Sequence, residues 1–435
     1  MSKSVGQFLM DNLPTNLESI TAAQLEQAYR LDPVKFRIWF DDIHQHNAQS
    51  QLLQAWQARL YFDETSQEPG AQPPAGIHKL QSDNSLLLYV IFISVLVWAV
   101  AKLPDFISLY GEWFYPRFIP FLVISALITY FIISSGLEKT RLLANVGAMT
   151  AVLLILLLLP DRAGSDSITM ALIHIPFVML SLLGMVFSAE RWRESSARIE
   201  YIRYGGELLI FTALILLGGA VLTALSLGLF ELIGIAINEW FFDYVVMWGA
   251  MSAPLIATWL WDQVMHRESK LASVIANVFS PLFLLLTMAY LFALLGQQRS
   301  PFSDREFLII FNALLLVVWG ITVFSVTGRG EKGSRLLDLT NLSLVFVTLV
   351  IDAIALTAIV YRLLQFGITP NRIAVTGANL LIFIHLLWIF YEYVKAFKSR
   401  SSTQVIKIII GRYLPVYSLW SVFVVAGLPL LFGFS

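Results

Sequence analysis

Long apolar runs dominate this sequence, and short polar stretches separate them. Eleven runs reach about 18 residues, the length at which an α-helix crosses the hydrocarbon core of a bilayer. No segment shows the alternating pattern of about ten residues that membrane β-strands require. The pattern predicts an all-α, polytopic membrane protein with about eleven transmembrane helices: Leu86–Leu103, Phe118–Ser134, Leu142–Leu159, Ile168–Phe187, Leu208–Ile233, Phe241–Trp261, Leu271–Leu295, Phe307–Val326, Leu336–Leu363, Ile373–Val394 and Tyr413–Phe434.

The first 63 residues follow a different pattern. Apolar residues recur there at helical spacing, among them Leu25 and Tyr29, then Leu53, Trp56 and Leu60. Such a stripe is typical of a small helical core, and less often of a docking face for a partner. We expect a helical domain over residues 1–63, a Pro/Gly-rich linker over 64–84 and the membrane bundle over 85–435.

Composition supports the membrane assignment. The 435 residues are 57% hydrophobic and 14% charged, with a mean hydropathy of +0.71, whereas soluble domains are about one quarter charged. No apolar run follows a basic start near Met1, so we expect insertion to begin with the first span rather than with a cleaved signal peptide. The chain has no cysteine, which excludes disulfides, iron–sulfur clusters and thiol chemistry.

The charges between the spans predict the orientation. Sixteen Lys and Arg residues lie after the even-numbered spans, against seven after the odd-numbered ones or at their last two positions. Because basic loops are retained in the cytoplasm, we expect the N-terminus inside and the C-terminus outside. Residues 1–85 carry six basic and ten acidic residues, which argues against nucleic acid as a partner and leaves a cytoplasmic protein as the candidate for residues 1–63.

Motifs of known enzymes and cofactor sites receive no support. The stretch GRGEKG, residues 328–333, matches the glycine pattern of dinucleotide-binding loops, but it lies between two membrane spans instead of a strand and a soluble helix. His44 and His46 are two residues apart without the carboxylates or cysteines of a metal site, so we interpret them as surface residues. We therefore expect no cofactor, no bound metal and no enzymatic activity.

Polar residues inside the spans are the main candidates for function, because they are costly in a bilayer. Asp352 lies near the middle of span nine, and Asn379 and His385 of span ten lie within about one turn of its depth if the two spans are antiparallel. Together they could form a proton relay or ion site, since histidine titrates near neutrality. The alternative is a polar clamp between helices, and Asn277 and Asn312 allow the same two interpretations.

A second candidate is acidic. Glu231, Glu239 and Asp243 surround the extracytoplasmic ends of spans five and six, with aromatic residues between them. The aromatic residues are typical of a membrane interface. The three acids could attract a cation or could simply be hydrated.

The corner between spans nine and ten is a third candidate. Gly367 suits a left-handed helix end, Thr369 can cap the next helix, and Pro370 fits its first turn. Arg372 is unexplained by these roles, because a cation in the first turn of a helix opposes the helix dipole. With Arg362 it could contact lipid phosphate or an acid such as Glu231.

Three stretches resemble a known family. They are LFELIGIAINEWFFDYV (residues 229–245), IVYRLLQFGITPNRI (359–373) and FNALLLVV (311–318), and they are similar to an uncharacterised family of bacterial polytopic membrane proteins filed as domain of unknown function 4153. The resemblance covers roughly residue 140 onward. It implies a multi-pass protein of the bacterial cytoplasmic (inner) membrane and carries no reaction or ligand residues.

Two functions remain open on the sequence. The first is a non-enzymatic scaffold, sensor or assembly factor of the inner membrane. The alternative is a secondary transporter or an ion or proton channel that uses the polar residues of spans nine and ten. A transporter should place these groups around one water-accessible cavity near the middle of the membrane.

Overall fold

The computed structural model describes residues 25, 26, 29, 36, 40, 51–60 and 83–435, except 108, 136, 236, 297–304, 329–334 and 400–403. His44, His46, the stretch 329–333 and all but the last two residues of the predicted linker lie outside this part. The chain divides into two units, residues 1–77 and 78–435.

The described part of the first unit contains one complete helix, Gln51–Leu60. Its residues Leu53, Trp56 and Leu60 are buried in one cluster with Leu25, Phe36 and Phe40. Arg59 forms an ion pair with Glu26 at 2.6 Å and lies over the Trp56 ring.

In the part of the second unit that the structure describes, eleven helices are long and apolar enough to cross a membrane, as the sequence predicts. The described residues contain helices, turns and bends but no strand. The chain is therefore all-helical there, with the composition and helix lengths of a multi-pass membrane protein. The main α-helical segments of these eleven are α1 (Asp83–Ala101), α2 (Gly111–Ser135), α3 (Lys139–Leu158), α4 (Asp166–Ser188), α5 (Ser195–Leu232), α6 (Met247–Trp259), α7 (Leu271–Gly296), α8 (Arg305–Thr327), α9 (Arg335–Phe366), α10 (Pro370–Ser399) and α11 (Gln404–Val422).

Short segments extend four of these helices, and one of them is the 3-10 turn Ala189–Arg191 at the end of α4. Leu103–Ile107 continues α1, while Asn238–Trp240 and two π-helical turns, Phe241–Val246 and Leu260–Val264, flank α6. A third π-helical turn, Phe423–Gly427, joins α11 to the short helix Leu428–Leu431. Each π turn inserts extra backbone into the helical path, so the face that the helix presents rotates at that point.

Two of the predicted helix boundaries are wrong. Helix α5 begins at Ser195, thirteen residues before the predicted Leu208, and α11 begins at Gln404 instead of Tyr413. Polar residues such as Arg198 and Arg203 therefore lie within a helix and not in a loop. The helix continues because Tyr201 and Tyr204 are buried against protein, which an apolar-run criterion does not detect.

The helices pack into two groups joined by α5 and α11. Helices α1, α2, α4 and α6 share the largest apolar core, to which Tyr201 and Tyr204 of α5 contribute. Helices α7 to α10 pack against one another around smaller cores. Both α5 and α11 contact helices of each group, so the space between the groups is bounded by these two connecting helices.

Candidate functional site: a cavity between the two helix groups

A cavity of about 410 Å³ lies between the two helix groups. Its volume is in the range of about 300–1,000 Å³ that ligand pockets occupy. Seven helices contribute residues, and the lining contains no Lys, Arg, Asp or Glu. The lining residues are Val123, Ile124, Leu127, Leu180, Tyr201, Ile202, Gly205, Leu208, Leu209, Thr212, Pro254, Trp319, Val323, Phe324, His385, Ile410, Leu414 and Tyr417.

His385 of α10 is the one ionisable side chain of this lining other than tyrosine, and its ring is held on two sides. Trp319 Nε1 lies 3.2 Å from His385 Nδ1, and the Tyr417 hydroxyl lies 2.8 Å from the same nitrogen. The ring also stacks on Tyr413, with ring centroids 4.3 Å apart and an interplanar angle of 10°. Packing from α8 and α11 therefore fixes the orientation of this imidazole.

The Trp319 contact determines which nitrogen of His385 carries the proton. An indole N–H can only donate a hydrogen bond, so Nδ1 must accept it and cannot itself be protonated. In the neutral imidazole the hydrogen then lies on Nε2. That nitrogen is buried and has no hydrogen-bond partner in the described part of the chain.

Thr212 of α5 is a second lining residue with a buried polar atom. Its hydroxyl is buried and lacks a hydrogen-bond partner among the residues that the structure describes. Buried polar groups without partners are uncommon, because each one costs about 1–3 kcal/mol. Neither this hydroxyl nor Nε2 of His385 has accessible surface, so the wall that the cavity presents is almost wholly apolar.

The cavity borders the outer surface of the bundle along α5. Leu209 lines it, yet 65% of the Leu209 side chain is exposed. The most apolar stretch of α5 has none of its residues buried in the chain. A lipid-soluble molecule would therefore reach the cavity sideways, from the hydrocarbon layer.

Asp352, Asn379 and His385 do not form the hydrogen-bonded group that the sequence suggests. All three are buried, but both carboxyl oxygens of Asp352 lack a hydrogen-bond partner in the described chain. Asn379 donates instead to Asn312 Oδ1 of α8 at 2.7 Å. Matching residues by depth does not account for the rotation of each helix about its axis. Asn379 and His385 bond to other side chains, while Asp352 has no hydrogen-bond partner among the described residues.

Asparagines of α7 and α9 belong to a polar chain within the second helix group. Ser280 donates to Asn341 Oδ1 at 2.8 Å, and Asn341 Nδ2 donates to the Ser325 hydroxyl at 2.8 Å. Ser325 in turn donates to Asn277 Oδ1 at 2.6 Å. These bonds join α7, α8 and α9, so Asn277 has the partners of an interhelical clamp.

The acidic candidates are exposed. Glu231 lies in the last turn of α5, while Glu239 and Asp243 belong to the segment before α6. In the described residues, no three His, Asp or Glu side chains are grouped closely enough to hold a metal ion. Nearby, Lys102 pairs with Asp105 at 2.8 Å and lies over the Tyr244 ring.

The corner between α9 and α10 has the predicted geometry, and its contacts explain why an arginine occupies position 372 in the first turn of α10. Gly367 has φ +79°, and Thr369 Oγ1 accepts a hydrogen bond from the Arg372 backbone N–H at 3.3 Å. The Arg372 guanidinium donates to the carbonyls of Phe366 and Gly367 at 2.7 and 2.6 Å. The cation therefore neutralises the carbonyl end of α9, which outweighs its unfavourable place at the start of α10. Arg362 lies one turn before the end of α9.

Two buried acids were not recognised in the sequence. Glu207 of α5 accepts hydrogen bonds from the Ser269 hydroxyl and the Ala272 backbone N–H. Asp262 accepts from the Tyr130 hydroxyl at 2.7 Å and forms an ion pair with Arg267. Both acids lie at the end of an apolar run, where they resemble solvated end charges, and only their tertiary partners identify them.

Trp319 and Tyr417 were also missed, because aromatic residues are common in membrane helices and nothing in the sequence marks these two.

In comparisons with known proteins, no family model, curated protein or solved structure matches this chain.

Proposed function

We propose that this chain is a non-enzymatic, multi-pass membrane protein that binds an uncharged, lipid-soluble molecule in the cavity and acts as a sensor or assembly factor. The observation that carries the proposal is the lining itself, which surrounds about 410 Å³ without a charged side chain. A cavity that binds an ion or a charged substrate needs fixed charges or dipoles that replace water. An apolar wall with few polar atoms suits a hydrophobic ligand.

The proposal includes a location. The excess of basic residues after the even-numbered spans and the resemblance to domain of unknown function 4153 favour a bacterial inner membrane protein with a cytoplasmic N-terminus and an extracytoplasmic C-terminus. The buried cluster around Trp56 favours a folded unit in residues 1–63, which would offer a contact surface to a cytoplasmic protein. Binding in the bundle would then be signalled through that unit.

Gly205 allows a direct test of the cavity. A Cβ atom added at Gly205 meets no atom within 4 Å, and the residue lines the cavity, so Gly205→Leu should fill it without displacing the backbone. Gly218 of the same helix also has free space around a Cβ atom but does not line the cavity, which makes Gly218→Leu the matched control.

The measurement is photolabelling in proteoliposomes with a small, uncharged aryl diazirine. Peptides that contain Trp319 or Tyr417 should be labelled in the native chain and in Gly218→Leu, and several-fold less in Gly205→Leu. Labelling of the exposed residues Leu282, Leu285 and Leu286 of α7, which no variant changes, serves as an internal reference for probe in the lipid. Equal labelling of the Trp319 and Tyr417 peptides in all three proteins would contradict the proposal.

One observation favours the alternative of a transporter or channel. Asp352 is buried in α9 without a hydrogen-bond partner in the described residues, and such acids are rare in membrane helices unless they take part in transport. Proton flux into proteoliposomes should then fall to background in Asp352→Asn. Background flux in both the native protein and this variant would remove the alternative.

A further inference from the structure

We propose that the cavity holds one acyl chain of a bilayer phospholipid, and that Arg198 of α5 binds the phosphate of the same lipid. This inference rests on the proposed binding function and specifies its ligand. The uncharged body inside the cavity is the chain, while the charged headgroup stays outside at the membrane surface. Two observations carry it, the apolar lining and the position of an arginine beyond one end of that lining.

The lining offers a ligand almost no hydrogen bond. Ten of its residues are Val, Leu or Ile, and the hydroxyls of Tyr201 and Tyr417 already have partners in the chain. The remaining polar atoms, His385 Nε2 and the Thr212 hydroxyl, have almost no accessible surface. A polar group brought into this space would lose its hydrogen bonds to water without replacement. An alkyl chain avoids that cost and gains free energy in proportion to its buried apolar area.

The cavity meets the lipid at its side. At the end where α5 and α11 begin, the two helices are in close contact, since a Cβ atom on Gly411 would lie 2.7 Å from the Ser195 backbone oxygen. Leu209, in contrast, lines the cavity and is exposed on the outside of the bundle. A chain therefore enters from the hydrocarbon layer beside Leu209, and every phospholipid of that layer carries such a chain.

Arg198 lies on the face of α5 that lines the cavity. Ile202, Gly205 and Leu209 line the cavity and follow Arg198 at intervals of four, three and four residues, which places all four on one side of the helix. Leu209 is eleven residues beyond Arg198, or about 16 Å along the helix, which is about half of a hydrocarbon core. A phosphate at Arg198 would thus bring the far part of its acyl chain to the level of Leu209.

The half-buried guanidinium of Arg198 has room for a phosphate oxygen. Its Nε donates to the Trp192 carbonyl at 3.0 Å and its Nη1 to the Gly411 carbonyl at 3.5 Å, so Nη2 has no partner among the described residues. Glu194 and Glu200, the acids nearest in sequence, bond to other side chains. A cation in the first turn of a helix opposes the helix dipole, and a bound phosphate offsets that cost.

The experiment uses the full chain in phosphatidylcholine proteoliposomes. The probe is a phosphatidylglycerol with a diazirine near the end of one acyl chain, and the reference is the diacylglycerol with the same chains and no phosphate. Labelling of peptides that contain Trp319 or Tyr417 is normalised to the exposed leucines of α7. We expect the phospholipid to label these peptides about fivefold more than the diacylglycerol, the effect of one partly exposed ion pair.

Three variants separate the headgroup from the cavity. Arg198→Gln should reduce the fivefold ratio to about one, and Arg198→Lys should keep most of it, because it retains the cation. Arg193→Gln is the control, since Arg193 is exposed just before α5 and should not affect the ratio. Gly205→Leu should reduce labelling by both probes. A loss of stability in Arg198→Gln would lower labelling by both probes alike, whereas a lost phosphate contact lowers that of the phospholipid alone.

The inference and the proposed function fail in different ways. A ratio near one in the native chain, or an unchanged ratio in Arg198→Gln, would overturn the inference. Loss of labelling by both probes in Gly205→Leu would in that case keep the cavity as a binding site. Stronger labelling by a free fatty acid with the same diazirine chain would overturn the assignment to a phospholipid. Absence of cavity labelling by every probe in the native chain would contradict both the inference and the proposed function.

Discussion

The carboxylate of Glu207 lies 2.9 Å from the backbone nitrogen of Ala272 and accepts its hydrogen bond. Its second oxygen accepts from the Ser269 hydroxyl at 2.5 Å. Ala272 is the second residue of α7, so a side chain of α5 caps the beginning of another helix. The backbone N–H groups of a helix start have no partner within the helix, and an acid there is also favoured by the helix dipole.

Replacing this acid should therefore loosen the junction of the two helix groups. We expect Glu207→Ala to reduce the free energy of unfolding by about 2–4 kcal/mol, because two buried donors lose a charged acceptor. A denaturant titration of each protein in mixed micelles measures this loss in the free energy of unfolding. The control is Glu200→Ala, whose ion pair with Arg191 is about half exposed and should contribute less than about 1 kcal/mol. If Glu207→Ala and Glu200→Ala lose the same free energy of unfolding, the capping of α7 by Glu207 does not stabilise the fold.

Asn341 and Asp352 are both buried in α9, but substitution should affect them in opposite directions. Asn341→Leu would remove the acceptor of the Ser280 hydroxyl and one donor to the Ser325 hydroxyl, and we expect a loss of about 2–3 kcal/mol in the free energy of unfolding. Asp352→Leu removes a carboxyl without a partner in the described chain and should leave stability unchanged or raise it. The same denaturant titration tests both. A large loss in Asp352→Leu would mean that the carboxyl has a stabilising contact in the membrane.

Gly377 of α10 allows close contact with α11. A Cβ atom at this position would lie 2.0 Å from the Trp420 ring, so Gly377→Ala requires the stiff indole or a helix to move. We expect a loss of about 1–3 kcal/mol, as in overpacked cores. Gly218→Ala is the control, since it has free space and should gain up to about 1 kcal/mol in helix propensity. Thermal melting followed by size-exclusion chromatography compares them, and a tolerated Gly377→Ala would show that the contact is loose.

Arg372 should be structural at the corner of α9 and α10. Arg372→Gln shortens the side chain that donates to the Phe366 and Gly367 carbonyls, and we expect a loss of about 1–2 kcal/mol. The exposed Lys139, at the start of α3, provides the control Lys139→Gln. If both variants melt at the native temperature, Arg372 is only a solvated charge at the helix end.

The sequence was sufficient for the number of spans, because a bilayer demands an apolar run of fixed minimum length. It was also sufficient for the corner at Gly367, Thr369 and Pro370, where the conformation depends on local residues. The start of α5 was not predictable in this way. Tyr201 and Tyr204 extend that helix through burial against other helices, and a polar helical segment in protein has no apolar run to mark it.

In the candidate site, too, some features could be predicted from the sequence and others could not. His385 stands out in the sequence because an imidazole inside a span is unusual. Its partners Trp319 and Tyr417 are 66 and 32 residues away along the chain, and they reach it only through helix rotation. Arg372 is a similar case, since its acceptors are carbonyls that any residue could supply. Side-chain identity predicts which groups need partners, whereas the packing decides which partners they find.

Helix α5 is one continuous helix that lines the cavity in one part and is exposed on the outside of the bundle in another. Its 38 residues measure about 57 Å, while a hydrocarbon core is about 30 Å thick. Residues near Gly205 form a wall of the cavity, and the apolar stretch beyond them is not covered by the chain. That wall is consequently supported from outside by acyl chains. We expect the lateral pressure of the bilayer to help set the cavity volume, so that a bound molecule is held with different affinity in loosely and tightly packed lipid.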